Sequence, residues 1–222
     1  MGKALTNLSL IEWVRHIFDH PVTKPAWHWD EDADFAELEP RRVIEYTTEL
    51  FGHPNDFLST YTDDQINDGL WFLISECSSP LYALTDITTL RAKRVKCIHA
   101  ITSLFEQCFV TRCTPHLSHR DEPGVGPLNA VCYMWWDIFP LCGQPQDAAR
   151  REIDDACISV MASTLELPSV ACQESALHGL GHWGIYYEGR CQSIISQFMK
   201  QHSDLRPELR DYAVRATDRC VQ

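Results

Sequence analysis

Positive charge is scarce in this chain: 19 lysines and arginines stand against 31 acids, for a formal net charge of -12. Nucleic-acid binders carry a basic patch or stripe, so no nucleic-acid partner is expected, whereas a basic protein partner fits the balance. Long apolar runs are also missing. None approaches the ~20 residues that cross a bilayer, so no membrane span is expected. The opening MGKALTNLSLIEWVRHIF has no continuous apolar stretch and no small-residue cleavage site, so no secretory leader is expected. MGKALT does match the N-acylation pattern through Gly2 and Thr6. No clean apolar alternation bounded by turn dipeptides appears, which excludes an extensive sheet. Several catalytic signatures are absent as well. There is no Gly-x-Ser-x-Gly elbow and no cysteine-protease signature, and the strings GVG and GLG lack the lysine of a phosphate loop.

What is present suits a folded protein. Hydrophobic residues make up 45% and aromatics 10% of the 222 residues, far from the disordered class and enough for one domain or a short array of repeats. Of the ten cysteines, most fall singly within amphipathic stretches: Cys77, Cys97, Cys108, Cys132, Cys157, Cys172, Cys191 and Cys220. They read as reduced, buried residues of a cytoplasmic protein.

The chain reads as helix after helix, an all-α protein. Residues 6–18 put Leu10, Ile11, Val14, Ile17 and Phe18 on one face. Pro40 opens PRRVIEYTTELF, which Gly52 and Pro54 stop, and Thr62 with Gln65 forms a capping box before the next helix. Asp86 is the expected cap of a long helix to about Cys113, with Ile87, Leu90, Arg94, Ile98, Ile101, Phe105 and Phe109 at helical spacing. The proline- and glycine-rich stretch 114–126 is the clearest loop, and it divides 1–113 from 127–222. Beyond it, helices start at Pro127, Pro145, Ser169, Gly189 and Pro207.

Histidines supply the candidates for chemistry. His178 and His182 in ESALHGLGHW share a helical face, and Glu174 stands one turn earlier. Glu174, His178 and His182 could therefore meet a zinc ion. Against this, Gly179 occupies the place where a zincin carries its glutamate. Gly179 and Gly181 suit close helix approach, and Ala176, Leu177, Leu180 and Trp183 surround the pair with apolar groups. The expectation is a helix-packing face with no metal and no cofactor. Cys113, His116, His119 and Asp121 form a second ligand-type run, expected to be a solvated loop.

The segment WHWDEDADFAELEP carries the strongest binding signal. Asp30, Glu31, Asp32, Asp34, Glu37 and Glu39 fall within ten residues that contain no lysine or arginine, interleaved with Trp27, Trp29 and Phe35. Aromatics among acids suit a strip that enters a basic groove: the charges speed encounter and the rings slow escape. Asp63, Asp64 and Asp68 are expected to extend the negative surface.

The paired helices 145–167 with 169–187, and 190–202 with 207–220, with SVACQESALHGLGHW among them, resemble the stacked hairpins of HEAT-like α-solenoids. That resemblance implies a helical stack used to bind proteins. In class, the small acidic helical chain is similar to bacterial immunity proteins, which implies a toxin-neutralising inhibitor bound to a basic partner. The expected function is therefore non-enzymatic protein binding through Trp27, Trp29, Asp30, Glu31, Asp32, Asp34, Phe35 and Glu37. The alternatives are an adaptor subunit, or a helical metalloenzyme on Glu174, His178 and His182.

Overall fold

Capping chemistry and proline placement set most of the helix starts. In the computed structural model, which describes residues 2–75 and 79–221, Ser9 and Glu12 exchange hydrogen bonds in a capping box that opens α1 (Leu10–Phe18). Pro40 and Pro54 stand in the first turns of α2 (Pro40–Gly52) and α3 (Pro54–Leu58), where a missing N–H costs nothing. Thr62 and Gln65 form the second capping box, at the head of α4 (Asp63–Ile74). Helix α5 (Arg91–Leu104) runs through a π-helical turn (Phe105–Phe109) into the short α6 (Val110–Arg112). After the loop come α7 (Pro127–Ile138), α8 (Arg151–Leu165), α9 (Val170–Trp183, capped by Ser169), α10 (Glu188–Gln201) and α11 (Pro207–Thr217).

The protein is all-α, with one small exception. Strands β1 (Ala4–Leu5) and β2 (Phe35–Ala36) pair in parallel, with Ala4 opposite Phe35 and Leu5 opposite Ala36. Two residues per strand leave no alternation to read, so the bridge was invisible to periodicity.

Three helix starts differ from expectation. The helix expected over 6–18 begins only at Leu10, after its Ser9 cap, and Ile11 turns outward, 51% exposed, while Trp13 takes the buried face. Asp86 does not cap α5. Its carboxylate accepts the N–H of Thr88 and the hydroxyls of Thr88 and Thr89, and this local turn delays the helix to Arg91. Ile87 and Leu90 consequently lie outside the helix and are 87% and 69% exposed. Arg94 is buried within α5 and donates to the Leu84 carbonyl. Pro145 likewise precedes a run of turns, and α8 begins only at Arg151.

One buried cluster draws on both sides of the 114–126 loop. At its centre, Trp135 of α7 meets Phe51 of α2 at 5.7 Å, and Phe105 and Phe109 of the π turn at 5.9 and 5.8 Å. Helix α9 packs on α7, α8, α10 and α11. Its glycines permit that closeness: a Cβ on Gly179 would lie 2.6 Å from the Trp136 side chain, and one on Gly181 would lie 2.5 Å from Val221.

The loop itself is pinned rather than solvated. Buried Asn129 accepts the Thr114 N–H and donates to the carbonyls of Thr114 and His116. Glu122 accepts the Leu117 N–H and pairs with Arg206 at 2.7 Å, while Leu117 itself is fully buried. The nine described cysteines are free thiols. Six are buried, whereas Cys142 and Cys220 are exposed, and Cys77 lies outside the described residues. Burial pushes the Cys97 and Cys108 thiols up to about 12, which keeps them protonated and unreactive.

Candidate functional site

Two regions concentrate functional side chains, and the structure treats them in opposite ways. In the acid–aromatic segment, Trp27 turns inward. It stacks on His20 at 4.0 Å and contacts Phe72 at 4.9 Å and His16 at 5.5 Å. Trp29 points away and is 58% exposed, and Phe35 is 45% exposed. Trp27 is thus a support of the strip, and Trp29 and Phe35 are its free aromatic surface. The backbone is pinned by the β1–β2 bridge and by Asp34, which accepts the Lys3 N–H at 2.7 Å.

The charges face outward. Asp30, Glu31, Asp32, Asp34, Glu37 and Glu39 are all exposed. Asp30, Asp32 and Asp34 line an open groove of about 900 Å³, together with His16, His20 and Trp27. Phe35 borders a second, more apolar groove of about 510 Å³, with Trp13, Val43, Phe72 and Tyr82. Not every acid joins the negative surface: Asp63 pairs with Arg112 at 2.7 Å, while Asp64 stays exposed. Burial lowers the pKa of His16 and His28 beneath the strip. His20 adds to that at His16 while Asp34 opposes it, and at His28 Asp68 opposes and His20 adds.

The second region follows one face of α9. Glu174, His178 and His182 recur every fourth residue, yet they do not converge on one point. Glu174 is fully buried and committed to the loop: it accepts the N–H groups of Ser118 and His119, each at 2.9 Å, and pairs with His119 Nδ1 at 2.6 Å. Both of its oxygens are occupied there, which corrects its reading as a third ligand. The group that joins the two histidines is Asp137, in the last turn of α7. One donor atom from each of Asp137, His178 and His182 lies within 4.8 Å of the others, and His182 Nε2 is 3.4 Å from Asp137 Oδ1.

Tyr212 of α11 connects the two ends. Its ring stacks on His119 at 4.1 Å, and its hydroxyl meets His178 Nδ1 at 2.7 Å. Tyr133 of α7 covers the His178 ring at 4.3 Å. Burial drives the His178 pKa down to about 3, with help from the neighbouring His182, and raises that of Tyr212 well above its ordinary value. Both groups are therefore neutral at neutral pH. His182 and Asp137 open onto a groove of about 370 Å³ that includes Pro140, Trp183 and Tyr186.

Cys113, His116, His119 and Asp121 do not assemble. The Asp137–His178–His182 trio is the one three-ligand cluster among the described residues, and Asp121 is exposed in a left-handed turn. Sequence reasoning missed Asp137, Tyr133 and Tyr212. Tyr133 and Asp137 are four apart on α7, as His178 and His182 are on α9, which is a signal that can be read only once the two helices are known to face each other.

Comparison with known families, with curated proteins and with solved structures finds no match to this chain. The class that the architecture defines is all-α, and no described helix is long and apolar enough to cross a membrane.

Proposed function

We propose that the chain is a non-enzymatic protein-binding protein that docks a basic partner through residues 29–37, and that it belongs to the immunity or antitoxin type of inhibitor. The observation that carries this reading is Trp29, 58% exposed among six exposed carboxylates on a backbone that the β1–β2 bridge already holds. An exposed tryptophan is a favoured hot-spot residue, and a pre-ordered segment loses less entropy on docking. The carboxylates supply steering: their field raises association rates by ~10-fold or more at low salt, and salt screens it as the Debye length falls from about 10 Å at 0.1 M to about 3 Å at 1 M. Phe35, beside its apolar groove, supports a second anchor point.

The product of the neighbouring gene is the first partner to test. Neutralising Asp30, Glu31, Asp32 and Asp34 should lower its on-rate in a salt-dependent manner. Trp29→Ala should raise the off-rate, at a cost on the order of 2 kcal/mol in binding, while leaving the fold intact because the ring is exposed. If folded variants of both kinds bind like the parent, the strip is not the interface. A second reading, a helical metalloenzyme, is favoured by the placement of Asp137 beside His178 and His182 rather than by Glu174.

A further inference from the structure

Helices α7 and α9 end side by side, where Asp137 and His182 meet, and His178 stands one turn earlier on α9. His178 is 3% exposed, its Nδ1 is held by the Tyr212 hydroxyl, and its Nε2 is buried with no hydrogen-bond partner. Buried polar atoms in native proteins nearly always have partners, and this imidazole nitrogen, beside the ligand-type groups of Asp137 and His182, is one that a water or a metal ion would satisfy. The Tyr212 hydroxyl can hold Nδ1 in either tautomer. The single Tyr212 hydroxyl proton has acceptors in the Val221 carbonyl and the Tyr133 oxygen, each at 3.4 Å. When that proton turns to either acceptor, the hydroxyl accepts from His178 Nδ1–H, and this tautomer leaves Nε2 the lone pair that a metal needs. Metal-bound histidines use this arrangement, with one ring nitrogen fixed by an outer hydrogen bond and the other ligating.

Asp137 presents the complementary problem. It sits in the last turn of α7, where the exposed carbonyl ends make a carboxylate unfavourable and a cation favourable. His182 stands in the last turn of α9. We propose that Asp137, His178 and His182 together bind one divalent transition-metal ion, zinc by preference, with a further coordination position open to the groove beside Tyr186. Two imidazoles and one carboxylate form a donor set that zinc accepts, and three protein ligands leave the fourth position for water or an incoming group. The 3.4 Å between His182 Nε2 and Asp137 Oδ1 is close to the edge of a tetrahedron with zinc bonds of about 2.0–2.1 Å, roughly 3.3 Å. The 4.8 Å envelope of all three donor atoms asks only a small inward movement of the two partly exposed groups. Both of those groups line the groove, so an ion has an entry path. This site is independent of the docking strip, and neither reading depends on the other.

The test uses the full chain, stripped with chelator and titrated with zinc chloride by calorimetry and with cobalt chloride by visible absorption. The expected result is one equivalent per chain and the intense absorption of tetrahedral cobalt. Asp137→Asn and His182→Ala should each weaken binding by about 10-fold or more, since even outer-shell losses at metal sites reach that range. Both side chains are about one-third exposed, so these variants should fold, and circular dichroism checks that they do. His202→Ala, in an exposed ion pair with Glu166, should bind like the parent. X-ray absorption of the zinc-loaded parent should show two imidazole ligands, a readout that needs no variant. The proposal is overturned if the parent shows no saturable binding, if either folded variant binds zinc as tightly as the parent, or if the absorption spectrum lacks imidazole ligands.

Discussion

Helix α9 and the segment from Trp27 to Glu39 are comparable in length and both rich in polar side chains, yet they spend them differently. In α9, twelve of fourteen residues are buried, including Gln173, Glu174, Ser175 and His178. Most of these side chains have a specific partner: Gln173 donates to the Leu167 carbonyl, Ser175 to the Cys132 carbonyl, and Glu174 holds the loop. In the segment no residue is fully buried and the carboxylates are exposed, with Asp34 and Asp30 also accepting the N–H groups of Lys3 and Asp32. The difference follows from desolvation. A buried charge or amide without partners costs several kcal/mol, so α9 tolerates polar groups only where other elements reach in to meet them. An exposed carboxylate avoids that cost, so it can hold a local N–H and still face solvent.

The sharpest way to break this contrast is Glu174→Ala. It leaves the N–H groups of Ser118 and His119 and the His119 ring without their acceptor in a part-buried site. The expected loss is on the order of 3 kcal/mol of folding stability, measured as a shift in the urea midpoint at constant slope. A loss below about 1 kcal/mol would mean that water replaces the carboxylate and that the loop is less firmly built than its hydrogen bonds indicate.

Gly179→Ala tests the close approach on the same helix. Its new methyl would meet the Trp136 side chain at 2.6 Å and the Met161 sulfur at 2.7 Å. Overpacking costs about 1–3 kcal/mol and better helix propensity returns up to about 1 kcal/mol, so a net destabilisation of about 1 kcal/mol is expected in thermal or urea unfolding. A stabilised variant would show that the α7–α9 interface can give way.

The smallest effect belongs to the strip's own support. Burial holds His16 and His28 below the ordinary histidine value, so the folded state binds fewer protons there than the unfolded chain. Their contribution is present above about pH 6.5 and is lost as pH falls below it, towards the lowered folded-state values. The groups facing them are His20, Asp34 and Asp68, and the two carboxylates oppose the shift and blunt it. Mild acidification should therefore loosen the Trp27 nest and red-shift its fluorescence, with a modest loss of stability. A His16→Gln, His28→Gln variant whose acid response equals the parent's would assign the effect elsewhere.

Much of the fold was legible because its cues are local. Ser169 and the Thr62–Gln65 pair cap helices as their spacing implies, and Pro40, Pro127 and Pro207 start them. Asp86 and Pro145 misled for an equally local reason: each side chain or ring suits a turn as well as a helix start, and the turn won. The candidate sites were legible only in part. His178 and His182 could be paired from their spacing, and the exposed acids from their clustering. That Glu174 serves His119, that Asp137 reaches His182, and that Trp27 is packed while Trp29 is free are all long-range facts.

By itself, then, the order of residues determined the all-α class, most helix boundaries, the net charge of -12 and the strip where that charge concentrates. These depend on backbone hydrogen bonds within a few residues and on charge counts, neither of which needs a partner from afar. The tertiary structure alone decided which polar groups share a site. Asp137 and His182 lie 45 positions apart in the chain, and His178 and Tyr212 lie 34 apart. They meet because apolar faces of α7, α9 and α11 are buried against one another, and burial then forces each polar group on those faces to find whatever partner the packing brings within reach.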